Sequence, residues 1–155
     1  MPTVRVVDGD LLDQDVDAIV NAWNRNVVPW WLLLPQGVSA AIKRRGGTGP
    51  FRELARMGLI PLGEGVITGP GSLPFRAILH VAGINLCWRS SEASIRASVR
   101  SAVRLATEHG FTRIAMPVIG AGSGGGDEAT ALAWMLDELS GIEAGLEVVV
   151  VRFRS

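Results

Sequence analysis

The run Ile119-Gly120-Ala121-Gly122-Ser123-Gly124-Gly125-Gly126-Asp127 packs five glycines into seven residues. It stands between an apolar stretch and a segment of helical periodicity. A strand that opens through such a loop into a helix presents backbone N–H groups and a helix N-terminus to an anion, and glycines let a phosphate approach the main chain. The loop has no lysine of the kind that nucleoside-triphosphatase loops carry. Gly120, Gly122 and Gly125 keep the spacing of a dinucleotide fingerprint, but they follow a late strand instead of opening a first βαβ unit. By itself the loop reads equally as a phosphate cradle or as a flexible turn.

Other side chains able to do chemistry are scattered. Asp8 and Asp10 flank Gly9 at the end of a β-branched run, where either can serve a turn. Asp127 stands where a helix N-cap is expected, and Glu128 shares that position's ambiguity with less reason. His80 lies inside an apolar strand pattern and reads as a satisfied core histidine rather than a base, although histidine is the side chain poised near neutral pH. Cys87 would be a nucleophile only beside a base, and nothing in the sequence places one there. Trp88 reads as core.

The elements that must position these residues follow from periodicity. Val4 to Val7, closed by Asp8-Gly9-Asp10, and Ala18 to Val20 read as strands. Gly37 to Arg45 reads as a helix, and Pro50 can take the first position of another through Met57, with Gly46-Gly47 between them. Gly65 to Thr68 and Ala77 to Val81 read as strands around the turn cluster Gly69-Pro70-Gly71-Ser72, which suits a hairpin. Ser91 caps a helix that buries Ile95, Val99, Ala102, Val103 and Ala106 and stops at Gly110. Arg96, Arg100 and Arg104 form a row on another face and read as a solvated stripe. Arg113 to Ile119 is a continuous apolar strand. The helix capped by Asp127 turns Ala129, Leu132, Ala133, Leu136 and Leu139 inward and ends at Gly141, and Leu146 to Phe153 is a last strand. Alternating strands and helices predict a three-layer α/β/α sandwich around a mixed sheet, with any ligand outside the carboxyl ends of the strands.

Composition narrows the function classes. With 155 residues, 48% hydrophobic and 19% charged, the chain suits one core-forming domain over 1–155 and is not disordered. Basic and acidic residues number 15 each, so no bulk field attracts nucleic acid, and any phosphate must be met locally. A lone Cys87 excludes an internal disulfide and a cysteine-rich metal cage. The opening Met-Pro-Thr-Val-Arg-Val-Val-Asp has no apolar signal core, and Val27 to Leu34, interrupted by Pro29, falls short of the roughly 20 residues that span a bilayer. A cytoplasmic protein without a membrane span and without a cofactor is expected. Lys43 is the single lysine, an arginine bias that hints at a bacterial genome rich in GC. The 19 glycines in 155 residues, about 12%, exceed the roughly 7% of average usage, which returns attention to the loop.

Several segments, in order, resemble the macrodomain family. They are Val7-Asp8-Gly9-Asp10-Leu11, Val16-Asp17-Ala18-Ile19-Val20-Asn21-Ala22-Trp23-Asn24, Gly37-Val38, Leu73-Pro74 with Ile78-Leu79-His80-Val81-Ala82-Gly83, and Ile114-Ala115-Met116-Pro117-Val118-Ile119-Gly120-Ala121-Gly122. The resemblance implies ADP-ribose as ligand and mono-ADP-ribosylated proteins as partners. It assigns the adenine amino group to Asp10, with Leu11 N–H in the same corner, and the distal ribose to Asn24. Asn21 then reads as structural, bonding nearby backbone. Gly37, Val38 and Ser39 on one side, and Gly120, Ala121, Gly122, Ser123 and Gly124 on the other, match the two loops that clamp the diphosphate.

The chain also departs from the pattern. Hydrolytic members run four glycines after the asparagine, whereas residues 25–36 here are longer and apolar, with Trp30 and Trp31 able to cover the ligand or to pack as core or partner contact. Ser39 stands where the family carries a catalytic aspartate, and Gly124 where an aromatic residue often covers the ribose. The expected activity is hydrolysis of mono-ADP-ribose from modified side chains, at the ester on acidic residues, with Asn24 and the spare carboxylate Asp127 as catalytic candidates. The alternatives are a non-catalytic ADP-ribose reader and an O-acetyl-ADP-ribose deacetylase.

Overall fold

The computed structural model describes residues 2–24, 37–57, 60–61, 63–84, 91–119 and 127–153. Strands β1 (Thr3–Gly9), β2 (Ala18–Asn24), β3 (Gly65–Thr68), β4 (Ala77–Ile84), β5 (Arg113–Pro117) and β6 (Glu147–Phe153) form one sheet in the order β1-β6-β5-β2-β4-β3. Every neighbouring pair is parallel except β3 with β4, the hairpin expected around Gly69 to Ser72. That turn requires glycine at Gly71, where φ is +60° and a Cβ would collide with the carbonyl oxygen of Gly46.

Alternation along the strands builds two cores. Val148 and Val150 of β6 face α3 (Glu92–Glu108) and α4 (Glu128–Ser140), while Val149 and Val151 face the other way. On that opposite face lie α1 (Gly37–Gly46), α2 (Gly49–Arg56) and the 3-10 turn Leu11–Asp13, contributing Ile42, Phe51, Leu54, Leu11 and Leu12. The result is the mixed-sheet three-layer sandwich that the periodicity predicts. All five residues expected on the inner face of α3 are buried, and Ser91 caps it reciprocally with Ser94.

Two expectations need correction. The inner face of α4 is Ala131, Met135 and Leu139, with Ala129 and Ala133 exposed and Leu132 and Leu136 half-buried. Apolar residues surround most of this helix, so spacing alone gives too little contrast to choose the face. The arginine row is not simply solvated either. Arg96 is only 22% exposed and pairs with Glu92 on its own helix and with Asp137 and Glu138 of α4, at 2.9, 2.7 and 3.4 Å, while Arg100 adds Glu138 at 3.0 Å. Carboxylates of α4 tie Arg96 and Arg100 to that helix, while Arg104 pairs with Glu64 and with Glu108 of its own helix.

Candidate functional site

Because β1, β2, β4, β5 and β6 run parallel, Gly9, Asn24, Ile84, Pro117 and Phe153 all end at one edge of the sheet. Asp10 follows the first of these ends and Asn24 is the second. Val118 and Ile119 continue from β5, buried, up to the glycine run. Asp10, Asn24 and the end of β5 therefore lie along one carboxyl edge of the sheet, the position at which open α/β sheets hold ligands.

Asp10 caps the 3-10 turn. Its Oδ1 accepts the Leu12 N–H at 2.9 Å, and its Oδ2 stands 3.7 Å from Nη1 of Arg45, which also donates to Asp13 Oδ1 at 3.3 Å. Asp8, a second candidate for the turn, instead accepts from Arg152 Nε at 2.7 Å across the neighbouring strand. Leu11 is buried in the core beneath the turn.

Asn21 sits in the core, and one of its partners is a side chain on the neighbouring strand. Its Nδ2 meets Nδ1 of His80 at 3.0 Å, both residues being fully buried. Nε2 of His80 meets Thr68 Oγ1 at 2.8 Å, and Thr68 donates to the Gly69 carbonyl at 3.0 Å. Burial pushes the His80 pKa down to about 3, so it is neutral in the folded protein and serves as a satisfied core histidine.

At the far side of the edge, the Ile119 N–H donates to the sulfur of Met135 at 3.3 Å inside the core, anchoring the main chain just before the glycine run. Asp127 Oδ2 accepts from the N–H of Thr130 at 3.0 Å and from its hydroxyl at 2.7 Å, and these bonds hold the exposed carboxylate below its usual pKa. The capping role expected for Asp127 is thus present, with both Thr130 bonds on Oδ2. Nothing in the sequence singles out Arg45, Thr68 or Met135, because each matters through a partner far away in the chain.

Gly37, Val38 and Ser39 open α1, but their side chains and that of Asn24 lie outside the described residues. Trp30, Trp31, Cys87, Trp88 and the loop Gly120, Ala121, Gly122, Ser123 and Gly124 also lie outside them. Among the described residues, no group of three or more His, Cys, Asp or Glu side chains is arranged to hold a metal ion, and no helix is long and apolar enough to cross a membrane.

Comparison with known proteins agrees with this architecture. The family model for the Macro domain matches residues 20–135, and the chain belongs to the macrodomain family. A Streptomyces griseus macro domain-containing protein is 41% identical over 128 residues, covering 78% of this chain and 70% of that protein. An uncharacterized Aquifex aeolicus protein is 33% identical over 141 residues, covering 90% and 82%. Among solved structures, an Oceanobacillus iheyensis macrodomain mutant with ADPR superposes with a TM-score of 0.84 at 26% identity, covering 97% of this chain and 84% of that one. The Trypanosoma brucei macrodomain in complex with ADP-ribose gives 0.78 at 27% identity, covering 97% and 63%.

Proposed function

We propose that this macrodomain binds ADP-ribose and hydrolyses it from mono-ADP-ribosylated proteins, at the ester on acidic side chains. The observation that supports this reading best is the placement of Asp10, Asn24 and the chain leading into the glycine run along one carboxyl edge, in a family whose structural neighbours include an ADP-ribose complex. Asp10 would accept from the adenine amino group through Oδ2, since Oδ1 is committed to Leu12. The backbones of Gly37-Val38 and of Gly120 to Gly124 would hold the diphosphate without a basic surface.

Asn24 would orient the distal ribose by donating to and accepting from its hydroxyls. Water then attacks the anomeric carbon, the bond from that carbon to the ester oxygen breaks, and free ADP-ribose, the side-chain carboxylate and one proton from the water, passed to solvent, are released. With Ser39 in place of a carboxylate, the bound diphosphate itself would hold and polarise the water. Asp127, whose two Thr130 bonds both fall on Oδ2, is the spare group for the same task.

Ser39 also favours a second reading, a module that reads ADP-ribose without turnover. Incubation with glutamate-linked and, separately, serine-linked mono-ADP-ribosylated protein separates the two. Release of label from the glutamate-linked substrate is expected. Tight ADP-ribose binding with no release from either leaves the reader, and deacetylation of O-acetyl-ADP-ribose is assayed in parallel.

A further inference from the structure

Asn21 on β2, His80 on β4 and Thr68 on β3 are 0%, 0% and 3% exposed and link three adjacent strands through their side chains. The chain of bonds ends on the Gly69 carbonyl, which can only accept, and the Gly69 N–H is itself held by Glu53 of α2 at 3.0 Å. That terminus dictates every proton upstream. Thr68 has one hydroxyl proton and gives it to Gly69, so it must accept from His80 Nε2–H. His80 Nδ1 therefore carries the lone pair and accepts from the Asn21 amide. A carbonyl beyond the edge strand thereby sets the amide orientation of a residue three positions before Asn24.

The ladder shows where this matters. Asn21 pairs with His80 and Ala22 with Val81, after which the register slips and Asn24 pairs with Ile84, leaving Ala82 and Gly83 opposite Trp23. The extra residue lies in β4, and a bulge bends the strand that carries it, here beside the end of β2. The Asn21–His80 bond stands one residue pair before the slip, on the strand that carries Asn24 to the ligand edge.

We propose that Thr68, His80 and Asn21 act as one positioning device for Asn24, and that this device gives the site its preference for a ligand with a second ribose over one that ends at the diphosphate. The inference rests on the ADP-ribose reading above. Asn24 serves the distal ribose alone, so a fault in its placement lowers affinity for ADP-ribose and leaves affinity for ADP in place. A general loss of stability has no such selectivity.

The test measures affinity for ADP-ribose and for ADP by calorimetry in the wild type, Thr68→Val and Thr68→Ser. Thr68→Val keeps the shape of the side chain without the hydroxyl, and Thr68→Ser retains the hydroxyl. We expect tighter binding of ADP-ribose than ADP in the wild type, an about fivefold narrower ratio in Thr68→Val, the size expected for one lost hydrogen bond, and recovery in Thr68→Ser. A folded Thr68→Val with the wild-type ratio overturns the inference, as does a wild type that binds both ligands equally. Wild-type protein that binds neither ligand overturns the ADP-ribose reading beneath it. Nitrogen-15 spectra of wild-type His80 test the device even if Thr68→Val does not fold: a proton on Nε2 is expected, and a proton on Nδ1 overturns it.

Discussion

Arg45 and Asp10 form an ion pair beside the carboxyl end of β1, with Nη1 of Arg45 3.7 Å from Asp10 Oδ2 while Oδ1 caps the turn at Leu12. The two oxygens of one carboxylate therefore have separate duties, and a single substitution can divide them.

Asp10→Asn keeps a carbonyl oxygen to accept from Leu12 N–H but turns the amide NH2 toward the adenine amino group, donor against donor. We expect affinity for ADP-ribose to fall by about 1.5–3 kcal/mol, the range for a hydrogen bond to a charged group, with the melting temperature nearly unchanged. Asp10→Ala adds loss of the cap, about 0.5–2 kcal/mol of stability. Asp8→Ala, whose partner is Arg152, serves as the control and should be milder in binding. Equal losses from Asp8→Ala and Asp10→Asn in a titration would place the adenine contact elsewhere.

Asn24→Ala should lower turnover of a glutamate-linked substrate more than it lowers affinity, because its proposed work is to place the anomeric carbon for attack. Ser39→Ala should change turnover little, since a hydroxyl does not replace a carboxylate base. Single-turnover rates beside equilibrium titrations separate the two effects, and activity indifferent to Asn24→Ala would refute the mechanism while keeping the function.

The neutral, buried His80 makes the fold sensitive to acid. Its folded pKa is depressed to about 3 from an ordinary value of 6.5, so the unfolded chain binds a proton that the native state refuses throughout that interval. Its stabilising contribution is complete above pH 6.5 and is lost as the pH falls through the interval toward 3, with a slope of at most about 1.4 kcal/mol per pH unit. Asp17 and Asp127, both held below 3.8 by hydrogen bonds to backbone and threonine groups, add their own losses only below that value. Urea midpoints measured from pH 7 down to 4.5 should decline steadily; a flat profile between 7 and 5 would contradict the burial of His80.

Ser98 on α3 is fully buried, and its hydroxyl has no hydrogen-bond partner among the described residues. Ser98→Ala removes an uncompensated polar atom and adds helix propensity, so stability should rise by about 1 kcal/mol. Chemical denaturation at pH 7 checks the sign, and a loss of stability would show that the hydroxyl has a partner in solution.

Much of this molecule is legible in short-range pattern. The face of α3, the caps at Ser91 and Asp127, the hairpin at Gly69 to Ser72 and the order of strands and helices all depend on residues a few positions apart, where spacing maps directly onto direction. The family was also legible, since its motifs around Asp10, Asn24 and Gly120 are local runs. The inner face of α4 was not, because apolar residues nearly encircle it and only the sheet and α3 select Ala131, Met135 and Leu139. Nor was the wiring of the site. Asn21 and His80 are 59 positions apart and meet because β2 and β4 are neighbours, Arg45 reaches Asp10 because α1 packs beside the 3-10 turn, and Met135 reaches Ile119 because α4 folds back over β5. A hydrogen bond between distant residues depends on strand order and packing. Local sequence determined the elements and their motifs; tertiary structure chose the partners of Asn21, Arg45 and Met135.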